Sequence, residues 1–224
     1  MKKNIVFIFA MLFVSLSACG QQSQKELSIK LYEKALNLSF HYCSNNDSIT
    51  KALKLLDEAI ALDKHNVFAH GQKIEILRKN NRFDETFKAA DEAIRCNPQS
   101  QYYGFYLQKG VTLEKIGRKE EAESVYKKGL ELCENRLKEN PTVGTLFDSY
   151  FLRYSVYRTD IPNSEIIAAI PSSFTKEERE QLVGFLEMIG SVKEFQNNFV
   201  GTVTSGRFYG DGRSHQGVSK QFCR

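Results

Sequence analysis

Five cysteines, four histidines and 27 acidic residues are the side chains through which this 224-residue chain could do chemistry. Neither their spacing nor their company suits catalysis. His41, His65, His70 and His215 are scattered, and none stands beside a cysteine or aspartate in a spacing that builds a nucleophile and its base. No HExxH, GxSxG or phosphate-loop pattern occurs, and Gly210-Asp211-Gly212 reads as a turn without the strand and helix a phosphate loop needs. Glu120 and Glu121 are adjacent, so on a helix they point apart and cannot share a proton across a substrate. No CxxC or HxxxH pair offers metal ligands. The expectation is therefore no catalytic residue, no metal, no cofactor and no small-molecule substrate.

Cys19 is set apart by what precedes it. Lys2 and Lys3 form a positive start, and Ile5 to Val14 is an unbroken apolar run of ten residues. As a helix that run rises about 15 Å, half of what a bilayer core requires, which favours a secretory signal over a transmembrane span. Leu16-Ser17-Ala18-Cys19, followed by Gly20, resembles a bacterial lipobox. The resemblance implies cleavage before Cys19, lipid on its thiol, and a place in the bacterial cell envelope, at the outer membrane if the cell is Gram-negative. Ordinary cleavage near Ala18, leaving a soluble secreted protein, is the alternative. Residues 1–18 are then a signal peptide, and 19–26 are the lipidated cysteine with a short polar tether. Cys43, Cys96, Cys133 and Cys223 remain, and spacing does not decide between disulfides and buried thiols.

The elements that carry everything else centre on Tyr103 to Gly129. Tyr106 is followed by Gly110, then by Gly117, and then by Ala122, Tyr126 and Gly129. Gly110 leaves room where two helices come close, and Gly117 suits the left-handed stop of the first. Ala122, Tyr126 and Gly129 are four and three apart and share one face of the second. Related hairpins lie upstream: Phe83, Thr86, Ala90 and Ala93 in one, and Ala52, Leu56 and Ala59 in the other. Ala52, Thr86 and Ala122 lie 34 and then 36 residues apart. With that period the chain resembles a tetratricopeptide-repeat protein over residues 27–141, about three helical hairpins in an all-α fold. Asn81 replaces the glycine of the turn in the second hairpin, and Ile74 stands where a small residue is usual.

The resemblance implies that the first helices of the hairpins line a concave face that binds an extended peptide or helix. Mapped residue by residue, that face takes Gly71, Glu75, Arg78 and Lys79 from the second repeat. From the third it takes Leu107, Val111, Glu114 and Lys115. The mixture is an apolar centre with a charged rim, which suits a protein ligand and equally a solvated helix face. A carboxylate-clamping mode known in the family is not supported, because Gly71, Glu75, Leu107 and Val111 occupy its positions.

Past Pro141 the period is lost. Phe147, Tyr150, Phe151, Tyr154 and Tyr157 form an aromatic stripe at helical spacing, expected to cap the open end of the third repeat. Ser48 is expected to cap a helix over 49–62, and Thr175-Lys176-Glu177-Glu178 reads as a capping box. Residues 142–200 form a C-terminal helical segment, with one more short helix expected over 191–199. Residues 201–224 read as a disordered tail that carries a net charge of +3 within a total of +4. The remainder is near neutral, so nucleic acid is not an expected partner. The expected role is a membrane-anchored scaffold or adaptor that binds envelope proteins. The alternatives are an inhibitor or immunity-type lipoprotein, and an enzyme with an unrecognised site in 142–200.

Overall fold

The computed structural model describes residues 21–39, 46–98 and 102–189. Every regular element among them is a helix. The signal peptide, Cys19, Cys43, the helix expected over 191–199 and the basic tail lie outside the described residues. The chain divides into two compact units, and the boundary falls inside the helix Val67–Lys79, after Lys73.

The first unit holds α1 (residues 21–39), α2 (Asn46–Leu62) and the start of α3 (Val67–Lys79). Two expectations need correction here. The tether expected over Gly20 to Lys25 is largely absorbed into α1, which is helical from residue 21. Ser48 does not cap α2, because that helix already begins at Asn46. What fastens the unit is a buried polar relay. Ser28 Oγ on α1 donates to Ala59 O on α2 (2.7 Å), and Asn66 Nδ2 donates to Ser28 Oγ (2.8 Å). Asn66 Oδ1 accepts from Ala69 N (3.0 Å), so one asparagine both caps α3 and ties it to α1. Ala35, Ala52, Leu56 and Ala59 are fully buried beside it.

The second unit runs from Ile74 and contains the end of α3, α4 (Phe83–Cys96), α5 (Gly104–Lys115) and α6 (Lys119–Glu139). It continues with α7 (Val143–Tyr157), α8 (Asn163–Ala168) and α9 (Lys176–Ile189). Helix α5 packs against α4, α6 and α7, α6 packs against α7, and α8 packs against α9. Helices α5 and α6 approach each other closely at two glycines. A Cβ on Gly110 would lie 2.1 Å from Tyr126 Cε1, and a Cβ on Gly129 would lie 2.6 Å from Tyr106 Cβ. Each glycine is thus the socket for an aromatic ring of the other helix.

The two helix stops that precede α4 and α6 are built alike. Asn81 N donates to Arg78 O and Arg82 N to Leu77 O. Thirty-six residues on, Gly117 N donates to Glu114 O and Arg118 N to Leu113 O. This is the Schellman arrangement, with the left-handed residue at φ 58° in Asn81 and 83° in Gly117. Asparagine tolerates that conformation, so the second repeat keeps its turn without the glycine. The guanidinium of Arg82 then forks onto Glu85, and that of Arg118 onto Glu121, all four bonds between 2.5 and 2.7 Å. These pairs are exposed and contribute little to stability. Their recurrence shows that the two turns share one geometry.

The C-terminal helices extend the core of the repeat. One continuous cluster joins Leu130 and Cys133 of α6 to Leu146, Phe147, Tyr150, Phe151 and Tyr154 of α7. It continues into Ile166, Ile170, Phe174, Leu182, Phe185 and Leu186. The aromatic stripe is therefore core, as a cap requires, except for Tyr157, which is 66% exposed. Phe147 and Phe185 meet edge to face at 4.2 Å. Thr175 N donates to Glu178 Oε2 (2.8 Å) and Glu178 N to Thr175 Oγ1 (3.2 Å), the reciprocal bonds of a capping box.

Candidate protein-interaction face

Gly71 belongs to the first unit and is buried. The other seven residues expected on the binding face lie in the second unit. There they do not make one open surface.

Glu75 and Arg78 sit one helical turn apart on α3 and are 2% and 1% exposed. They pair with each other at 2.6 Å. Lys79 Nζ reaches the other Glu75 oxygen at 3.1 Å while remaining partly in solvent. The carboxylate lies between two cations, and the Glu75–Arg78 pair is too deeply buried to greet a ligand. Such a pair adds little net stability, yet removing one partner leaves a buried charge and costs about 3–5 kcal/mol.

Leu107 and Val111 of α5 are 4% and 2% exposed. Both were expected at the apolar centre of a concave face. They belong instead to the continuous core that takes in α7, α8 and α9. This corrects the expectation of an open apolar groove. The physical reason is that α5 is packed on by α4, α6 and α7 together.

Glu114 is partly exposed, but its carboxylate is engaged twice. Tyr126 Oη donates to Oε2 at 3.1 Å, and the guanidinium of Arg158 binds Oε1. The same guanidinium lies 5.9 Å from the centre of the Tyr126 ring. Burial pushes the Tyr126 phenol well above its ordinary value, with a Ser155 hydrogen bond acting in the opposite sense. Arg158 follows α7 with φ 55°, a left-handed residue at a position where glycine is usual. Spacing offered no sign of this contact, since Arg158 and Glu114 are 44 residues apart.

Lys115 stays exposed. Its Nζ donates to Asn81 Oδ1 (3.2 Å) and lies 5.6 Å from the centre of the Phe83 ring. Arg118 likewise lies 5.5 Å from the Phe87 ring. Together with Lys109 and Asp91, paired at 2.5 Å, these contacts join the third hairpin to α4 of the second. What remains open of the expected face in this unit is a charged rim: Lys79, part of Glu114, and Lys115.

Sequence reasoning also missed Asp148 and Gln108. Asp148, on α7 and nearly buried, accepts from Tyr103 N at 2.8 Å and so caps α5 from another helix. Gln108 is 1% exposed, and neither of its amide atoms has a hydrogen-bond partner among the described residues. Cys133 is a buried free thiol that donates to Thr145 O (3.1 Å), and Cys96 is half-buried. Burial, then Asp148 and Glu134, raise the Cys133 thiol far above its ordinary value, so it is not a nucleophile at neutral pH. Among the described residues no group of three or more His, Cys, Asp or Glu could hold a metal ion. Among them, too, no helix is long and apolar enough to cross a membrane.

No curated protein matches the chain. The tetratricopeptide repeat family matches residues 103–136, the stretch from the start of α5 into α6 that Gly110, Tyr126 and Gly129 hold together. This supports a tetratricopeptide-type protein and, with it, the general role of a protein–protein interaction scaffold.

Proposed function

We propose that this protein is a membrane-tethered interaction scaffold of the bacterial envelope. Lipid on Cys19 holds it at the membrane, and the charged rim of its repeats engages another envelope protein. The observation that carries the reading is the matched repeat at 103–136, whose fold serves protein binding. The rim is the part of the expected first-helix face that solvent still reaches: Lys79 is 43% exposed on its side chain, and Lys115 is exposed. Two lysines at the ends of successive first helices suit a partner segment that carries carboxylates.

The test is in-cell cross-linking followed by affinity purification of the full-length protein, beside a Lys79→Glu/Lys115→Glu variant. A partner captured by the wild type and lost with the folded variant supports the rim. Equal capture by both places the binding surface elsewhere. Cys19→Ser should release the protein from the membrane fraction, and its persistence there would remove the lipid anchor from the reading.

A further inference from the structure

Helix α1 is charged asymmetrically around its axis. At about 100° per residue, Leu27, Lys30, Leu31, Lys34 and Leu38 fall within a sector of roughly 100°. Lys30 and Lys34 are exposed, Leu27 is 48% exposed, and Leu31 and Leu38 are half-buried. No carboxylate falls in that sector, although Glu26 and Glu33 border it on the Lys30 side, about 40° and 60° beyond that lysine. Ser28, Tyr32 and Ala35 turn inward and are buried. The first helix of the array thus presents a flank that is both apolar and basic.

Chain length says what that flank meets. Cys19 precedes the start of α1 at residue 21 by two residues, which span at most about 7 Å when fully extended. A lipid on Cys19 therefore leaves the first turn of α1 no room to stand away from the bilayer surface. We infer that the Leu27–Lys30–Lys34 flank of α1 lies on the membrane, with Leu27 at the headgroup boundary and the two lysines on anionic lipid headgroups. This rests on the lipid anchor proposed above. It adds that the anchor and the helix act together, so that the first unit is held in one orientation rather than swinging on a tether. The lipid already supplies association, so the flank has only to choose an orientation. Two lysines at an anionic surface favour one by roughly 30-fold.

The chain contains no tryptophan, so a single one reports its own surroundings. Leu27 and Ile29 are equally exposed, at 48% each, but lie on opposite sides of the helix. Full-length protein carrying Leu27→Trp or Ile29→Trp would be purified from a lipidating bacterial host. It would then be reconstituted into vesicles of phosphatidylcholine with about 30% brominated phosphatidylglycerol, which supplies both the anionic surface and the quencher. Leu27→Trp should shift its emission to shorter wavelength and be quenched severalfold, while Ile29→Trp should behave as in solution. Adding Lys30→Glu and Lys34→Glu to Leu27→Trp should abolish the quenching while the protein still floats with the vesicles.

Flotation with Leu27→Trp unquenched, with both probes quenched alike, or with quenching that survives the charge reversal would overturn the inference and leave the anchor standing. Failure to float would remove the anchor itself, and the inference with it.

Discussion

Gly110→Ala tests the packing on which the matched repeat depends. The new methyl carbon would lie 2.1 Å from Tyr126 Cε1 and 2.6 Å from Cδ1 and Cζ. Carbon atoms in contact sit about 3.5–4.0 Å apart, so the ring must retreat by more than about 1 Å or the helices must separate. The ring is fully buried, its hydroxyl is bonded to Glu114, and Arg158 lies against its face. Overpacking of this kind costs about 1–3 kcal/mol, and a lost hydroxyl bond about 1 kcal/mol more. Alanine in place of glycine within a helix returns about 1 kcal/mol. The net expectation is a loss of about 2 kcal/mol, or a fall in Tm of roughly 4–8 °C for a unit of this size. Thermal and urea unfolding followed by far-UV circular dichroism would measure it. Combining Gly110→Ala with Tyr126→Leu should cost less than the two single changes summed, because the smaller side chain vacates the space the methyl needs. An unchanged or raised Tm for Gly110→Ala alone would show that helix propensity outweighs the clash, and that the α5–α6 contact is looser than described.

Three further outcomes follow from burial. Ala122→Leu, at a fully buried position on α6, should lower stability by roughly 1–3 kcal/mol, and an unchanged midpoint would mean the repeat register is wrong. Gln108→Met removes an amide that lacks partners inside α5 and should stabilise by about 1–2 kcal/mol; a clear loss of stability would show that the amide is paired. Burial raises both the Cys133 thiol, ordinarily at 9.0, and the Tyr126 phenol, ordinarily at 10.0. The unfolded chain releases these protons first, so its ionised form is favoured and stability should fall as pH climbs past 9. Urea midpoints that stay level from neutral pH to well above 10 would contradict this.

Features whose partners lie nearby in sequence were readable in advance. The left-handed stop at Gly117 and its asparagine substitute at Asn81 follow from turn chemistry alone. The capping box at Thr175 and Glu178 is another local rule, and the aromatic stripe of α7 follows from helical period. Features that depend on distant pairing were not readable. Asp148 caps α5 from 45 residues away, and Arg158 reaches Glu114 across 44. Asn66 is an intermediate case: its place before α3 marks it as a helix cap, but its bond to Ser28 crosses 38 residues.

The closed state of Leu107 and Val111 shows where the repeat pattern stops being informative. The same positions hold Gly71 and Glu75 in the second repeat, so the third repeat is the apolar one. An apolar residue on a first helix can face a ligand or the next helix of its own chain, and the residue type does not distinguish them. Energetics does. Leaving both side chains in water would forgo about 1.5–3 kcal/mol each, and α4, α6 and α7 pack against the helix that carries them. Ile166, Ile170, Phe174, Leu182, Phe185 and Leu186 share that core, each at most 7% exposed. Together these six contribute on the order of 10 kcal/mol of burial. Against this, the Arg158–Glu114 pair and its ring contact supply roughly 1–2 kcal/mol. The C-terminal helices are therefore held by their apolar core and not by that ion pair. A partner that sought Leu107 and Val111 would have to displace the whole core. One that meets Lys79 and Lys115 would compete only with surface contacts, the Glu75 pair of the first and the Asn81 hydrogen bond of the second.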